Sequence, residues 1–355
     1  MVFIPGSIGR GIKLTKHGCV NINDNDKAQL ETVIKKYHIY TEELTISYYN
    51  CTIWPTISDY FNSIRSLTLS NVRTGQECMI SLIDRFTNLD SLILEHFCII
   101  RWGNGNEIEI GQLPNSLNSL QLRYNSNSFY QRYRIIDLLN THQNLKFLRV
   151  EHERLFERLM SPYPSLEHLV IRLSKQSTQF QHSLVNLENL KVLDLLYPSL
   201  NYSLIESILN LASIEELGFN THIDPYRESD MPIINCPQLK KLSVRSLISA
   251  EWTEFFLLSC PNLTYLKLPH NQNFNLLLEK PELIAQLNHI TLTSYTPDSV
   301  NFKTLLLSQN LKKMEIIASS VSSIDKEFFD DLEQIENWKL SRIGSRIILS
   351  RIIYN

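Results

Sequence analysis

Cys236-Pro237-Gln238-Leu239-Lys240-Lys241-Leu242-Ser243-Val244 returns 24 positions later as Cys260-Pro261-Asn262-Leu263-Thr264-Tyr265-Leu266-Lys267-Leu268. A fixed period of this size is the mark of a chain built from stacked units. The shared core, Leu-x-x-Leu-x-Leu with apolar replacements, runs from Ile64-Leu67-Leu69 through Leu145-Leu148-Val150 and Leu190-Leu193-Leu195 to Leu311-Met314-Ile316. A degenerate Ile335-Trp338-Leu340 closes the series. From residue 64 the spacings are 25, 28, 28, 21, 24, 24 and 25, and then hold at 24.

In a strand, residues two apart share a face, so the fourth and sixth positions of each unit point together into a core. Burying each such side chain contributes roughly 1.5–3 kcal/mol. One unit cannot bury that face alone; a neighbour on each side does. Helical spacing recurs between the strands, at Met79-Ile80-Leu82-Ile83-Phe86, Leu204-Ile205-Ile208-Leu209 and Trp252-Phe255-Phe256-Leu257. Further helices are expected over 135–139, 155–160 and 328–332. Pro164, Pro237 and Pro261 stop the helices and steer the chain into extended geometry. Strand, turn, helix, turn and strand at this period must be parallel and right-handed.

The expected fold is therefore α/β: a right-handed solenoid bent as a horseshoe, with a parallel concave β-sheet and convex helices. Residues 1–40 form an N-terminal cap with one helix, carrying Leu30, Val33, Ile34 and Tyr37 behind Asp24 or Asp26. Residues 41–340 hold about twelve to thirteen units, and 341–355 a C-terminal cap that shields the last core layer.

The units resemble leucine-rich repeats. Their ninth position is asparagine only at Asn125 and Asn271, so the array departs from the subtypes with an asparagine ladder. The Cys-Pro-x-Leu openings at Cys236 and Cys260, echoed by Tyr163-Pro164-Ser165-Leu166, are similar to the cysteine-containing repeats of F-box proteins. That resemblance implies a substrate-binding subunit of an F-box-type ubiquitin ligase, although no F-box motif is recognisable in residues 1–40. It also implies a ligase adaptor as partner at the N-terminus.

Composition narrows the remaining classes. At 355 residues the chain exceeds one compact core, and 43% hydrophobic content suffices for an ordered fold. A net charge of −3 argues against a general nucleic-acid binder. No apolar run is long enough for a membrane span, and the start lacks the basic and apolar regions of a secretory signal. Cys19, Cys51, Cys78, Cys98, Cys236 and Cys260 form no Cys-x-x-Cys pair and read as reduced thiols of an intracellular protein, cytoplasmic or nuclear. His17 and Cys19 lack further metal partners, and Gly9-Arg10-Gly11 is no phosphate loop. The expectation is a monomeric non-enzyme with no metal and no cofactor.

Function then rests on the concave face, where positions three, five and seven point outward. Phe147, Arg149, Glu151, His168, Val170, Arg172, Val192, Asp194 and Leu196 mix aromatic, aliphatic and arginine side chains as protein interfaces do. Lys241, Arg245, Tyr265 and Lys267 make a second patch, basic with one aromatic ring. Both are candidate surfaces for a protein partner. The competing function is a regulator of an enzyme or GTPase with no ligase association.

Overall fold

Two residues after its first leucine each unit becomes a strand, and successive strands lie side by side in register. The computed structural model describes residues 2–5, 11–15, 41–47, 63–100, 113–123, 142–151, 163–173, 178–196, 201–220, 232–245, 249–269, 280–295, 308–318 and 337–352, with a few more within 28–38 and 57–61. The chain divides into two compact units, Met1–Ile171 and Arg172–Asn355.

Across the first unit run β1 (Val2–Pro5), β2 (Gly11–Thr15), β3 (Glu43–Ser47), β4 (Ser66–Ser70), β6 (Ser91–Glu95), β8 (Ser119–Arg123), β9 (Phe147–Val150) and β10 (His168–Arg172). A small parallel pair, β5 (Arg73–Gly75) and β7 (Cys98–Ile100), lies on the return segments. Across the second unit run β11 (Val192–Leu196), β12 (Glu216–Asn220), β13 (Lys241–Val244), β14 (Tyr265–Pro269), β15 (His289–Tyr295), β16 (Lys313–Ala318), β18 (Arg346–Arg351) and β17 (Trp338–Ile343).

Register places like on like. Leu67, Leu92, Leu120, Leu148 and Leu169 form one buried row in the first unit. Leu193, Leu217, Leu242, Leu266, Ile290 and Met314 form its counterpart in the second. Parallel, in-register leucine strands joined by helical and irregular returns make each unit a stretch of leucine-rich repeat solenoid.

Two hydrogen-bond series tie one repeat to the next. At the foot of most parallel strands one carbonyl accepts from two successive N–H groups of the next repeat. Glu42 O takes Arg65 and Ser66 at 2.8 and 3.0 Å, and Lys240 O takes Thr264 and Tyr265 at 2.9 and 3.1 Å. The second series uses side chains from the residue just before the first leucine. Ser116 Oγ donates to Leu89 O at 2.9 Å, Ser213 Oγ to Leu190 O at 2.8 Å, Gln238 Nε2 to Leu211 O at 2.8 Å and Asn262 Nδ2 to Pro237 O at 2.8 Å. Gln286 and Asn310 continue it at 3.1 and 2.6 Å. Each bond reaches back to a carbonyl of the preceding turn region and helps to satisfy it. The ladder absent from the ninth position thus exists one residue ahead of the unit, as Ser, Asn or Gln.

Helices cover the packed side. In α1 (Gln76–Arg85) Met79, Leu82 and Ile83 are buried, and Ile80 is half-buried. Phe180 and Leu184 are buried in α2 (Thr178–Leu184), and Leu204, Ile205, Ile208 and Leu209 in α3 (Tyr202–Leu209). In α4 (Ala250–Ser259) Phe256 meets Phe219 of β12 at 5.6 Å between ring centroids. Asn201 Oδ1 caps α3 by accepting from Leu204 N at 2.9 Å, and Ser249 Oγ caps α4. The short α5 (Pro281–Ile284) has its proline at the start, where no N–H is needed. Pro164 and Pro261 sit in turns closed by Leu166 N–H to Tyr163 O at 3.1 Å and Leu263 N–H to Cys260 O at 3.0 Å. The helices expected over 135–139, 155–160 and 328–332 lie outside the described residues, as do Asp24, Asp26, Leu30, Val33 and Tyr37. Ile34 is buried within a helical segment.

Both ends depart from the repeat frame. The first residues, which show no periodicity, form an antiparallel β1–β2 hairpin, and β2 then runs parallel to β3 with Ile12 opposite Leu44 and Leu14 opposite Ile46. At the other end Trp338 and Leu340 are not a further repeat strand. They belong to β17, the outer arm of an antiparallel hairpin whose inner arm, β18, pairs with β16. The turn is Gly344-Ser345, with Gly344 at φ 60°, which a residue without Cβ adopts freely. Arg351 then substitutes for a next repeat. Its N–H bonds Lys312 O at 2.9 Å, and its guanidinium donates to Ser308 O at 3.1 Å.

Candidate functional site

Odd positions of each strand face away from the leucine rows and make an open face. In the first unit the Phe147 ring stands edge-on to His168 at 4.7 Å. Arg149 reaches along its own strand to Glu151, with Nη2 to Oε1 at 2.6 Å and Nε to the same oxygen at 3.0 Å. Glu151 is only 9% exposed, so its charge is matched inside the sheet surface rather than offered outward. Val170 is 6% exposed, which corrects its reading as an open aliphatic. It lies in register with Arg149, whose longer side chain stands beside it on the adjacent strand. Phe147, Arg149 and His168 remain half-buried, each with a surface to present.

Within the second unit Arg172 is exposed, while Val192, Asp194 and Leu196 are half-buried on the open face. Asp194 lies across Gly218: a Cβ there would sit 1.9 Å from Asp194 Oδ1. Glycine at this point is what lets the carboxylate lie flat over β12. Lys241 is committed to an ion pair with Glu216 on the neighbouring strand. Arg245 is exposed one residue beyond β13. Tyr265 packs edge-on against His289 at 4.7 Å, and its hydroxyl lies 3.3 Å from Thr291 Oγ1, which lies 3.3 Å from His289 Nε2.

Around this cluster charges converge. Glu315 is 7% exposed; Lys313 Nζ meets its Oε1 at 2.5 Å, Arg346 Nη2 its Oε2 at 3.6 Å, and His289 Nε2 lies 3.9 Å away. Burial pulls the Glu315 carboxyl up, but the Lys313 hydrogen bond and the surrounding cations outweigh it and hold it below the usual carboxylate range. Burial, then Lys313, hold His289 below the usual imidazole range, against the pull of Glu315. Lys267 is also held low, first by burial and then by Arg245 and Arg346. The second patch therefore loses Lys241 to Glu216 and gains Arg346 from the C-terminal hairpin. His289, Lys313 and Glu315 already stood in the outward rows of the sequence. Arg346 carried no such signal, because the register of an antiparallel strand cannot be read from a parallel repeat.

Cys236 and Cys260 are fully buried and share a hydrogen bond. That bond and burial push the Cys260 thiol far above its usual range, which leaves it protonated and poorly nucleophilic. Among the described residues no cluster of His, Cys, Asp and Glu could hold a metal ion. None of the described helices is long and apolar enough to cross a membrane.

No known family profile matches the chain, and no curated protein matches it. Solved structures do. An internalin from Listeria monocytogenes aligns at 16% identity and TM-score 0.40, covering 80% of this chain and 76% of that one. TLR13 in its complex with the RNA ssRNA13 aligns at 16% identity and TM-score 0.45, covering 92% of this chain and 50% of that one. The Drosophila Toll–Spatzle complex aligns at 14% identity and TM-score 0.32, over 80% of this chain and 30% of that one.

Proposed function

We propose that the chain is a non-catalytic recognition scaffold whose open sheet face holds another protein. The supporting observation is a division of labour between faces. The packed rows are almost entirely aliphatic, whereas the open face carries half-buried aromatic, arginine and aliphatic side chains that the fold does not require. Such residues are those in which interface energy concentrates. Alanine at both Phe147 and Arg149 should weaken capture of the partner in a pull-down from cell extract, and unchanged capture would remove that patch from the reading.

The more specific form of the proposal is a substrate-binding subunit of an F-box-type ubiquitin ligase. An F-box is helical, whereas Val2–Pro5 and Gly11–Thr15 are strands, so the adaptor would be engaged by a segment other than these. Co-purification with the ligase adaptor tests it; without that association the scaffold stands alone, and regulation of an enzyme or GTPase becomes the better account. An intracellular site of action, cytoplasmic or nuclear, is part of the proposal. Cys236 and Cys260, in contact and unjoined, are the arrangement a reducing compartment maintains.

A further inference from the structure

The second unit's open face is more basic than its chain. From β13 to β18 it carries Lys241, Arg245, Lys267, Lys313 and Arg346 against Glu315, in a chain of net charge −3. Lys241 is paired with Glu216, and Glu315 is shared by Lys313, Arg346 and His289. Arg245 and Lys267 form no ion pair within 4.0 Å among the described residues, and Lys267 feels the Glu315 carboxylate only at longer range. Burial first, and then the charges of Arg245 and Arg346 against the pull of Glu315, disfavour the Lys267 cation, so a repulsion among the three cations persists on this face. An arriving anion would relieve it.

Apolar groups flank the cations. Ile317 lies in register with Arg346, and Arg346 with Ile343, so the three form one row across β16, β18 and β17. Ile343 is 68% exposed, unusual for so large an aliphatic on a strand whose neighbours Lys339, Ser341 and Arg342 are polar.

We propose that this face binds an extended acidic segment of a partner protein, with Arg245, Lys267 and Arg346 taking its carboxylates and Ile317 and Ile343 an apolar side chain beside them. The idea rests on the reading of the array as a recognition surface and names the chemistry of what is recognised. A protein segment fits better than a nucleic acid for three reasons. Glu315, Glu216 and Asp194 interrupt the basic track that a phosphate backbone needs. Tyr265 and His289 stack edge-to-face on each other instead of presenting parallel rings to bases. The isoleucines ask for an aliphatic partner.

The test uses the whole chain and fluorescence anisotropy with a labelled peptide of alternating glutamate and leucine. Charge reversal at Arg245→Glu with Lys267→Glu should weaken binding about tenfold or more, while this doubly substituted chain keeps the parent's thermal unfolding. Glu315→Gln removes the competing carboxylate and should strengthen binding roughly two- to threefold. Equal binding by the charge-reversed chain, or no gain with Glu315→Gln, overturns the inference, as does tighter binding of an oligo-uridylate of equal length. A chain that takes a protein from extract yet ignores this peptide sinks the acidic-segment inference alone; one that takes nothing sinks the scaffold reading beneath it.

Discussion

Position three of the repeat is Ser66, Ser91 and Ser119 on β4, β6 and β8, and Tyr265, His289 and Lys313 on β14, β15 and β16. One set is small hydroxyls, the other an aromatic pair and a charge bound into a buried carboxylate. One residue further on, position four is Leu67, Leu92 and Leu120 in the first region and Leu266, Ile290 and Met314 in the second, all buried. The stacking that holds the sheet together is the same in both. Only the chemistry shown on the other face differs, so the packing of the sheet and the chemistry it displays are set by alternate residues of the same strand.

The comparison breaks most directly at the shared row. Leu92→Ala and Leu266→Ala should each cost about 2–5 kcal/mol in denaturant unfolding, with similar losses in the two regions. A large loss at one and a small loss at the other would show that the rows are not equivalent. Glu315→Gln sharpens the contrast, having no counterpart among the serines. It should cost roughly 1–2 kcal/mol near neutral pH, because Lys313 and Arg346 stay half-exposed and can turn to water. The native carboxyl is held below its unfolded value, so its contribution is present above the unfolded pKa and is lost as pH falls through the lowered one. Thermal melts from neutral to acid pH should therefore converge for the two chains at the acid end. The smallest effect belongs to the side-chain ladder: Ser116→Ala and Gln238→Ala should each cost about 0.5–1.5 kcal/mol by the same melts, alike in both regions.

Much of this fold is legible in the leucines. Their period gives the strand positions and, by alternation, the packed and open faces. The ladder was legible too, at Ser116, Asn144, Ser213, Gln238, Asn262, Gln286 and Asn310, but it stands before the leucine and not at the ninth position. The amino-terminal hairpin was not, because Gly11-Ile12-Lys13-Leu14-Thr15 is too short an alternation to stand out. The polar–apolar alternation around Gly344 does point to closing strands, but not to the place of Trp338 and Leu340 in them, since both fall on the repeat period while pairing antiparallel. Open-face exposure was legible only in part. Val170 and Glu151 occupy outward positions and are buried nonetheless, because cover on a sheet face depends on the size of the flanking residues, which a count along one strand does not include.

The placement of that ladder has an architectural consequence. Each Ser, Asn or Gln grips the preceding layer at the moment the chain comes back to the sheet, so alignment is restored on arrival whatever route was taken. Detours of different length can then be spliced between strands without disturbing the layers that follow, as steps of 28, 25 and 24 residues leading to Ser116, Gln238 and Asn262 illustrate.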